Sequence, residues 1–386
     1  MTQCDTRRED VRFLYYAIKR VWMAAGASEE HADYVADGIT FGHMQGKLKQ
    51  GLGVYEALDI ALVKGLLDIK ARPELESEGP TWAVFDGKRS SGYWCLNMMA
   101  DIAIEKAKQH GIAIVFGGNH NDGGSHSAYV YKAFEQDLMA MAACNTPPQA
   151  APYGGMFNRL GCPPFDAMAP AGEEAPIWTS VALAEWGDDD VSDAMLNNKP
   201  IRGHGLLDPE TGEVSNDISR YALPNENYGR IWGCTAAGQL GEPRTMALNM
   251  WTEALTTIIN PLGLPVTEMP SIDDYCTGDI DPDKMTTTGG SYFLCIDPSR
   301  FGPIDAVKAR SDAFVKAIED CPPRPGHSVR VPGSDGYRRL QSGEQTVEVL
   351  KSHWEPFFGF IAGRYGLNEE ILRTEYAETL AGGADL

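Results

Sequence analysis

"IEKAKQHGIAIVFGGNHNDGGSHSAYVYKAFEQDLMAMAAC", residues 104–144, carries the pattern that decides the fold. Its first residues finish a helix that begins near Cys95, and Gly111 ends that helix, glycine being the residue that accepts a helix C-terminus most easily. "IAIVFGG" is a short apolar run and reads as a strand, "SAYVYKAFEQD" returns to helical spacing, and "LMAMAAC" reads as a second strand. Strands alternating with helices imply an α/β architecture. Between the first strand and the second helix lie two histidines, an aspartate and two asparagines: His120, His126, Asp122, Asn119 and Asn121. Gly117, Gly118, Gly123 and Gly124 follow a strand and precede a helix, the geometry of an anion site at a helix N-terminus. Their spacing matches neither GxGxxG nor GxxxxGK[ST], so an ordinary Rossmann or P-loop site has no support.

Toward the N-terminus, Val11, Leu14, Ala17 and Val21 recur at helical spacing until Gly26, and Ser28 with Glu29 and Glu30 opens a second helix. "GVYEALDIALVKGLL" (53–67) is expected as a third, amphipathic helix, and "TWAVFDG" (81–87) as a strand. Beyond residue 150 the pattern loosens. "LLDPETGEVSND" (206–217) reads as a surface hairpin. "RTMALNMWTEALTTIINPLG" (244–263) is expected as one long helix, "SYFLCID" (291–297) as a strand and "DAVKARSDAFVKAIED" (305–320) as a helix.

The chain has 386 residues and a formal charge of −21, which argues against nucleic acid and anionic membrane as partners, since both call for a basic footprint. It contains no apolar run of transmembrane length, and "MTQCDTRREDVRF" lacks the apolar core of a signal peptide, so the cytoplasm is the expected compartment. The eight cysteines, at 4, 95, 144, 162, 234, 276, 295 and 321, follow neither a zinc nor a disulfide pattern and are expected as free thiols.

Six stretches carry a resemblance: "AGASEEHADYVAD" (25–37), "AIEKAKQHGIAIV" (103–115), "NTPPQAAPYGG" (145–155), "DPETGEVSND" (208–217), "IDPSRFGPIDAVKAR" (296–310) and "CPPRPGHSVRVPGSDGYRR" (321–339). Taken in this order, they make the chain similar to the type-2 malate/L-lactate dehydrogenases, a family that includes ureidoglycolate dehydrogenase, diketogulonate reductase, sulfolactate dehydrogenase and a cyclic imino acid reductase. The resemblance implies a non-Rossmann α/β fold with a mixed sheet flanked by helices and discontinuous domains. It also implies NADH or NADPH as cofactor, and a homodimer or higher homo-oligomer whose active site lies at a subunit and domain boundary. The domains expected are 1–120 plus 300–386 on the substrate side and 121–299 as a nucleotide-binding-like centre.

Carried over position by position, the family's Ser-His-Gly element falls on Lys49-Gln50-Gly51, and its carboxylate-holding arginine falls on Val54. Its second active-site histidine falls on Asp122, within Asn119-His120-Asn121-Asp122-Gly123-Gly124. On the cofactor side, the family's Gly-Thr-Asn-Pro becomes Gly161-Cys162-Pro163-Pro164, and its Asp-Met-Ala becomes Ser180-Val181-Ala182. Its lysine before the long helix falls on Arg244, and its late Pro-Gly-Glu becomes Pro332-Gly333-Ser334.

Hydride transfer to a carbonyl or imine needs a bound donor and a group that protonates the oxygen or nitrogen. Lys49, if burial lowers its pKa, or His120 or His126, could be that acid, against the plainer readings of a solvated charge run for Lys47 and Lys49 and of packing or capping for His126. His43 lies seven residues before Gln50 and would share its face if the segment were one helix. Asp122 is expected to orient or tune the acid, while Gln50, Asn119, Asn121, His126 and Asn145 are expected on the substrate side. No third histidine is fixed beside "HNDGGSH" by spacing, so no metal site is expected. Arg244, a cation where the helix dipole favours anions, is expected to meet a phosphate or a substrate carboxylate. Together these features point to NAD(P)-dependent reduction of a small carbonyl or imine, or the reverse oxidation, with a catalytic site altered from the family pattern. Two readings stand beside it: a lyase or proton-transfer enzyme that has lost the nucleotide, and a non-catalytic partner subunit.

Overall fold

A computed structural model describes residues 5–184, 194, 200–201, 206–208, 211–216, 238–239, 243–271 and 286–382. Strand β1 (Thr6–Asp10) leads into helices α1 (Val11–Ala24), α2 (Glu29–Met44) and α3 (Leu52–Val63). Then come β2 (Glu74–Gly79), β3 (Trp82–Asp86), α4 (Gly92–His110), β4 (Ile112–Gly118), α5 (Ser127–Phe134), β5 (Met139–Cys144), β6 (Pro164–Met168) and β7 (Trp178–Ala182). Three two-residue strands follow, β8 (Leu206–Leu207), β9 (Val214–Ser215) and β10 (Gly238–Gln239). The remainder is α6 (Pro243–Glu253), β11 (Ser291–Ile296), α7 (Ile304–Glu319), α8 (Ser334–Gln341), β12 (Thr346–Leu350), α9 (Lys351–Pro356) and α10 (Glu369–Ala381).

The local signals act as their chemistry requires. Ser28 caps α2 by accepting from the His31 amide at 3.2 Å, and Ser91 caps α4 by accepting from the Trp94 amide at 3.4 Å. Gly111 closes α4 in the left-handed region at φ 93°. The main sheet has seven strands in the order β2-β3-β4-β11-β5-β6-β7. Only β3 and β4 run parallel; every other neighbouring pair is antiparallel. Gly117 and Gly118 at the end of β4 show what covers each face. The first lies against Met99 of α4 and the second against Leu262, in accord with the alternation of a strand.

Two apolar cores result. One joins α1, α2 and α3 to residues 347–372, and β1 pairs antiparallel with β12 at its edge. The other lies between α4, α5 and the sheet. The boundary expected at residue 120 therefore falls inside the structure's main sheet, because β4 pairs with β11 from Ile112 to Gly117. The segment that packs with the C-terminal part ends near residue 70. Helix α3 departs from its amphipathic reading as well. It is buried on nearly every side, Glu56 and Asp59 included, because the C-terminal helices cover the face expected to meet water, and Arg364 pairs with Asp59 at 2.6 Å. The long helix expected over 244–263 is α-helical only through Glu253 and continues as a π turn over Ala254–Ile258. The hairpin at 206–217 appears as β8 paired with β9. Cys95, Cys144, Cys162 and Cys295 are free and buried and Cys321 is free and exposed, while Cys4, Cys234 and Cys276 lie outside the described residues, as does His204.

Candidate active site

Helix α2 stops at Met44, and residues 48–50 form a separate 3₁₀ turn before α3 begins. His43 and Gln50 are therefore not two turns apart on one helix. The Leu52 amide donates to His43 Nε2 at 2.8 Å, which makes Nδ1 the protonated nitrogen, and Nδ1 donates to the Glu348 carbonyl at 3.0 Å. Burial pushes this imidazole down to about 4, so it stays neutral and braces the turn instead of reaching a substrate. Lys49 and Gln50 sit half-buried on the turn, and Val54 is buried in the helical core.

Lys47, on the same turn, reaches furthest. Its ammonium donates to Ser127 Oγ at 2.9 Å, to Ser125 Oγ at 3.3 Å and to Ser180 Oγ on β7. Ser127 in turn donates to Asp166 of β6, a carboxylate that is 2% exposed. Burial lowers the Lys47 pKa, and the charge of Asp166 opposes the shift. One lysine thus ties the turn after α2 to the first turn of α5 and to the last two strands of the sheet.

The loop between β4 and α5 splits the residues that the sequence groups together. Asn119 has φ 52° and turns outward to donate to Asp86 at 2.9 Å. His120 turns inward: the ring donates through Nδ1 to the Asn121 carbonyl at 2.8 Å and meets Ser291 Oγ through Nε2 at 2.7 Å. Burial drives it down to about 4, so with both nitrogens engaged it joins β4 to β11 and has no free atom for acid–base work. Asn121 spends its amide on the Leu66 and Arg89 carbonyls and its oxygen on the Thr287 amide. Asn145 likewise donates to the Leu264 carbonyl and accepts from the Gly290 amide. Both asparagines hold backbone, so the expectation that they bind substrate finds no free polar atom.

Asp122 is half-buried. Its Oδ1 accepts from the Gly124 amide at 2.7 Å, and Gly124, at φ 64° and with a Cβ position only 2.1 Å from the Tyr93 hydroxyl, has room for no other residue. His126 follows, 1% exposed, with its ring edge-on to Tyr129 at 5.9 Å. Neither ring nitrogen has a hydrogen bond of regular geometry, and the Gly124 backbone lies beside the ring, close enough to favour the charged form. Burial lowers its pKa and Lys47 adds to that, while Asp166, Asp122 and the Gly124 backbone oppose it. A buried imidazole with no partner is uncommon, because the desolvation of its polar atoms goes uncompensated.

Strand β7 is an edge of the sheet, paired on one side only among the described residues. Ser180 there is half-buried against Lys47, while Val181 is 46% exposed. Gly161 and Cys162 precede β6. Thr146 Oγ1 accepts from the Cys162 amide at 2.7 Å, and Asn249 of α6 donates to the Gly161 and Leu183 carbonyls. Arg244 is exposed at the start of α6, with no ion pair among the described residues. At the far end, Gly333 (φ 81°) packs on Trp178, Ser334 is buried and donates to the Val331 carbonyl at 2.8 Å, and Pro332 is exposed. The structure thus brings together Lys47, the 125–127 turn and Ser180, with Gly333 packed on Trp178 at the start of the same strand, and it does not bring Asn119 or His120 to them. Among the described residues, no three His, Cys, Asp or Glu side chains gather as metal ligands.

The family profile described as malate/L-lactate dehydrogenase matches residues 11–357. The chain belongs to the malate/L-lactate dehydrogenase family. It is 28% identical over 329 residues to the malate/(S)-sulfolactate dehydrogenase of Methanothermus fervidus, covering 85% of this chain and 89% of that protein. It is 25% identical over 370 residues to the ureidoglycolate dehydrogenase (NAD(+)) of Escherichia coli K12, covering 94% and 96%. Its fold matches that of the sulfolactate dehydrogenase from Methanocaldococcus jannaschii, with TM-score 0.77, 23% identity, and 94% of this chain and 99% of that one covered. This malate/L-lactate dehydrogenase family member is therefore an enzyme with that family's mixed α/β fold. In it, the residues that sequence reading passed over are Ser125, Ser127 and Asp166, and Lys47, weighed only as part of a solvated charge run, turns out to be tied into the site. Lys47 reads as one charge in "GKLKQG", and Ser127 and Asp166 stand 39 positions apart. The one local signal was Ser-His-Ser at 125–127, two hydroxyls flanking a histidine at a helix start.

Proposed function

We propose that this enzyme reduces the carbonyl or imine of a small molecule with NADH or NADPH, or catalyses the reverse oxidation, through a site whose acid–base group is His126. The observation that carries this reading is the buried, unpartnered imidazole beside an edge strand. Both ring nitrogens of His126 are free to hold a proton that a substrate oxygen or nitrogen gains or loses. The residues present suit a nicotinamide nucleotide. Ser180 and Val181 offer an open strand edge, the turn at Gly161 and Cys162 is held in place by Thr146 and Asn249, and Arg244 is available to a phosphate. When bound, the nicotinamide supplies or takes up the hydride. The chain's own residues do the rest: His126 carries the proton, and Asp122 and Asp166 stabilise its charged form. A plain 2-hydroxy acid is not the expected substrate, because Val54 cannot grip a carboxylate.

Titration of the protein with NADH and NADPH, followed by tryptophan quenching and nicotinamide emission, tests the reading. Saturable micromolar binding of either is expected, and no binding at millimolar concentration would overturn it. One observation favours a second reading, proton-transfer or lyase chemistry without hydride: Lys47, Ser127 and Asp166 form a buried chain of proton-bearing groups. Turnover of a substrate with no nucleotide present would establish that reading instead.

A further inference from the structure

His126 has no hydrogen bond of its own, yet the residues on both sides of it are fastened to the same atom. Ser125 Oγ and Ser127 Oγ both accept from the Lys47 ammonium, at 3.3 and 2.9 Å. The third hydroxyl at that ammonium belongs to Ser180 on a different element. All three N–H bonds of the cation are thus directed, and the carboxylate that balances it, Asp166, lies one hydroxyl further on. Two charges buried in direct contact would cancel most of each other's field. With a serine between them, each still acts separately on a third group nearby.

We propose that Lys47 and Asp166, joined through the Ser127 hydroxyl, form a serine-bridged ion pair that positions His126 and sets the charge it faces. The inference deepens the reading of His126 as the proton carrier and rests on it. Lys47 is then a positioning residue. It fixes the backbone on either side of the imidazole while leaving the ring open, and it joins that backbone to the β7 edge through Ser180. The groups that face His126 are Asp166 from β6, Asp122 from its own loop, Lys47 from the turn after α2, the neutral His120 and the Tyr129 ring. The two ends of the bridge act on the imidazolium with opposite signs, which a purely structural role would not produce.

The test is a ¹³C-histidine NMR titration of the full chain, with the His126 resonance assigned by its loss in His126→Gln. Lys47→Met removes the opposing positive charge and is expected to move the His126 titration to higher pH. Asp166→Asn is expected to move it to lower pH, and Lys47→Arg to restore most of the wild-type position. Should Lys47→Met not fold, Lys47→Gln carries the same expected sign. Shifts in one common direction, or no shift in either variant, would overturn the proposal. Because the readout needs no turnover, it separates the two ideas. Opposed shifts in a protein that binds no nucleotide would leave the ion pair standing and remove the oxidoreductase reading, whereas nucleotide binding without opposed shifts would do the reverse.

Discussion

At the scale of single residues, the site turns on which histidine keeps a free nitrogen. His31, His43 and His120 are all buried, and each is tied through both ring nitrogens: His31 to the Ile69 carbonyl and Ser91, His43 and His120 as described above. His126 alone among these four is unpartnered. His126→Gln should therefore lower kcat by roughly 10²- to 10⁴-fold, the usual contribution of general acid–base catalysis, while leaving NADH affinity intact. Wild-type kcat in that variant would remove His126 from the mechanism. The neutral imidazole is the base that an alcohol oxidation needs, and burial holds its pKa below the ordinary value. The acid limb of the oxidation profile should accordingly fall below about pH 6.5, the unperturbed histidine value.

Sequence alone favoured His120 because it sits among inherited active-site positions. Its inward turn is set by the positive φ of Asn119, which breaks strand alternation and which no periodicity reports. Lys47 read as solvated for another reason. A lysine in a polar run is normally solvated, and only its convergence with Ser127, Asp166 and Ser180 gives it a role.

At the scale of elements, the sequence was most readable where local chemistry decides. The α4–β4–α5–β5 succession follows directly from apolar spacing and Gly111. Strands β1, β2, β6 and β12 were missed because they are short and take their stability from neighbours, as β7 does. β7 illustrates the dependence: it is held on one side by β6 and beneath by the turn at Gly333. A methyl group at Gly333 would lie 2.5 Å from Trp178 Cβ, in a backbone conformation at φ 81°. Gly333→Ala should therefore cost roughly 1–3 kcal/mol in stability, and the displaced strand should weaken nucleotide binding. Chemical denaturation together with NADH titration checks both, and unchanged values would show that β7 does not depend on this turn.

At the scale of the whole molecule, the neutral histidines link folding to pH. Burial takes His31, His43 and His120 each to about 4, whereas the unfolded chain titrates near 6.5. Between those values the unfolded state binds protons that the folded state refuses, so stability is full above about pH 6.5 and is lost as pH falls toward 4. The effect is on the order of 3 kcal/mol per histidine at most. Urea midpoints should drop steeply between pH 6.5 and 5; a flat midpoint would contradict the neutral, buried assignments. The surface also bears on assembly. Trp251 and Ile258 are 63% and 65% exposed on α6 and the turn after it, with Tyr153 and Phe157 exposed as well. A homodimer or larger homo-oligomer that buries these side chains predicts an assembly larger than one chain by light scattering and a shift toward monomer in Trp251→Glu; a monomer in the wild type would overturn it.

The pairing of β1 with β12 ties residues 6–10 to residues 346–350, and the Lys351 amide closes the link by donating to the Asp5 carbonyl. During synthesis the first helices emerge early, but the partners that cover their apolar faces, Trp354, Phe357, Phe358 and Ile361, are translated only after every strand of the main sheet. The helical half of the molecule therefore stays uncovered until translation has passed Leu372. The sheet between the two ends has its strands in hand long before, so a nascent chain paused short of residue 346 would hold a paired sheet beside a helical layer with its apolar faces uncovered.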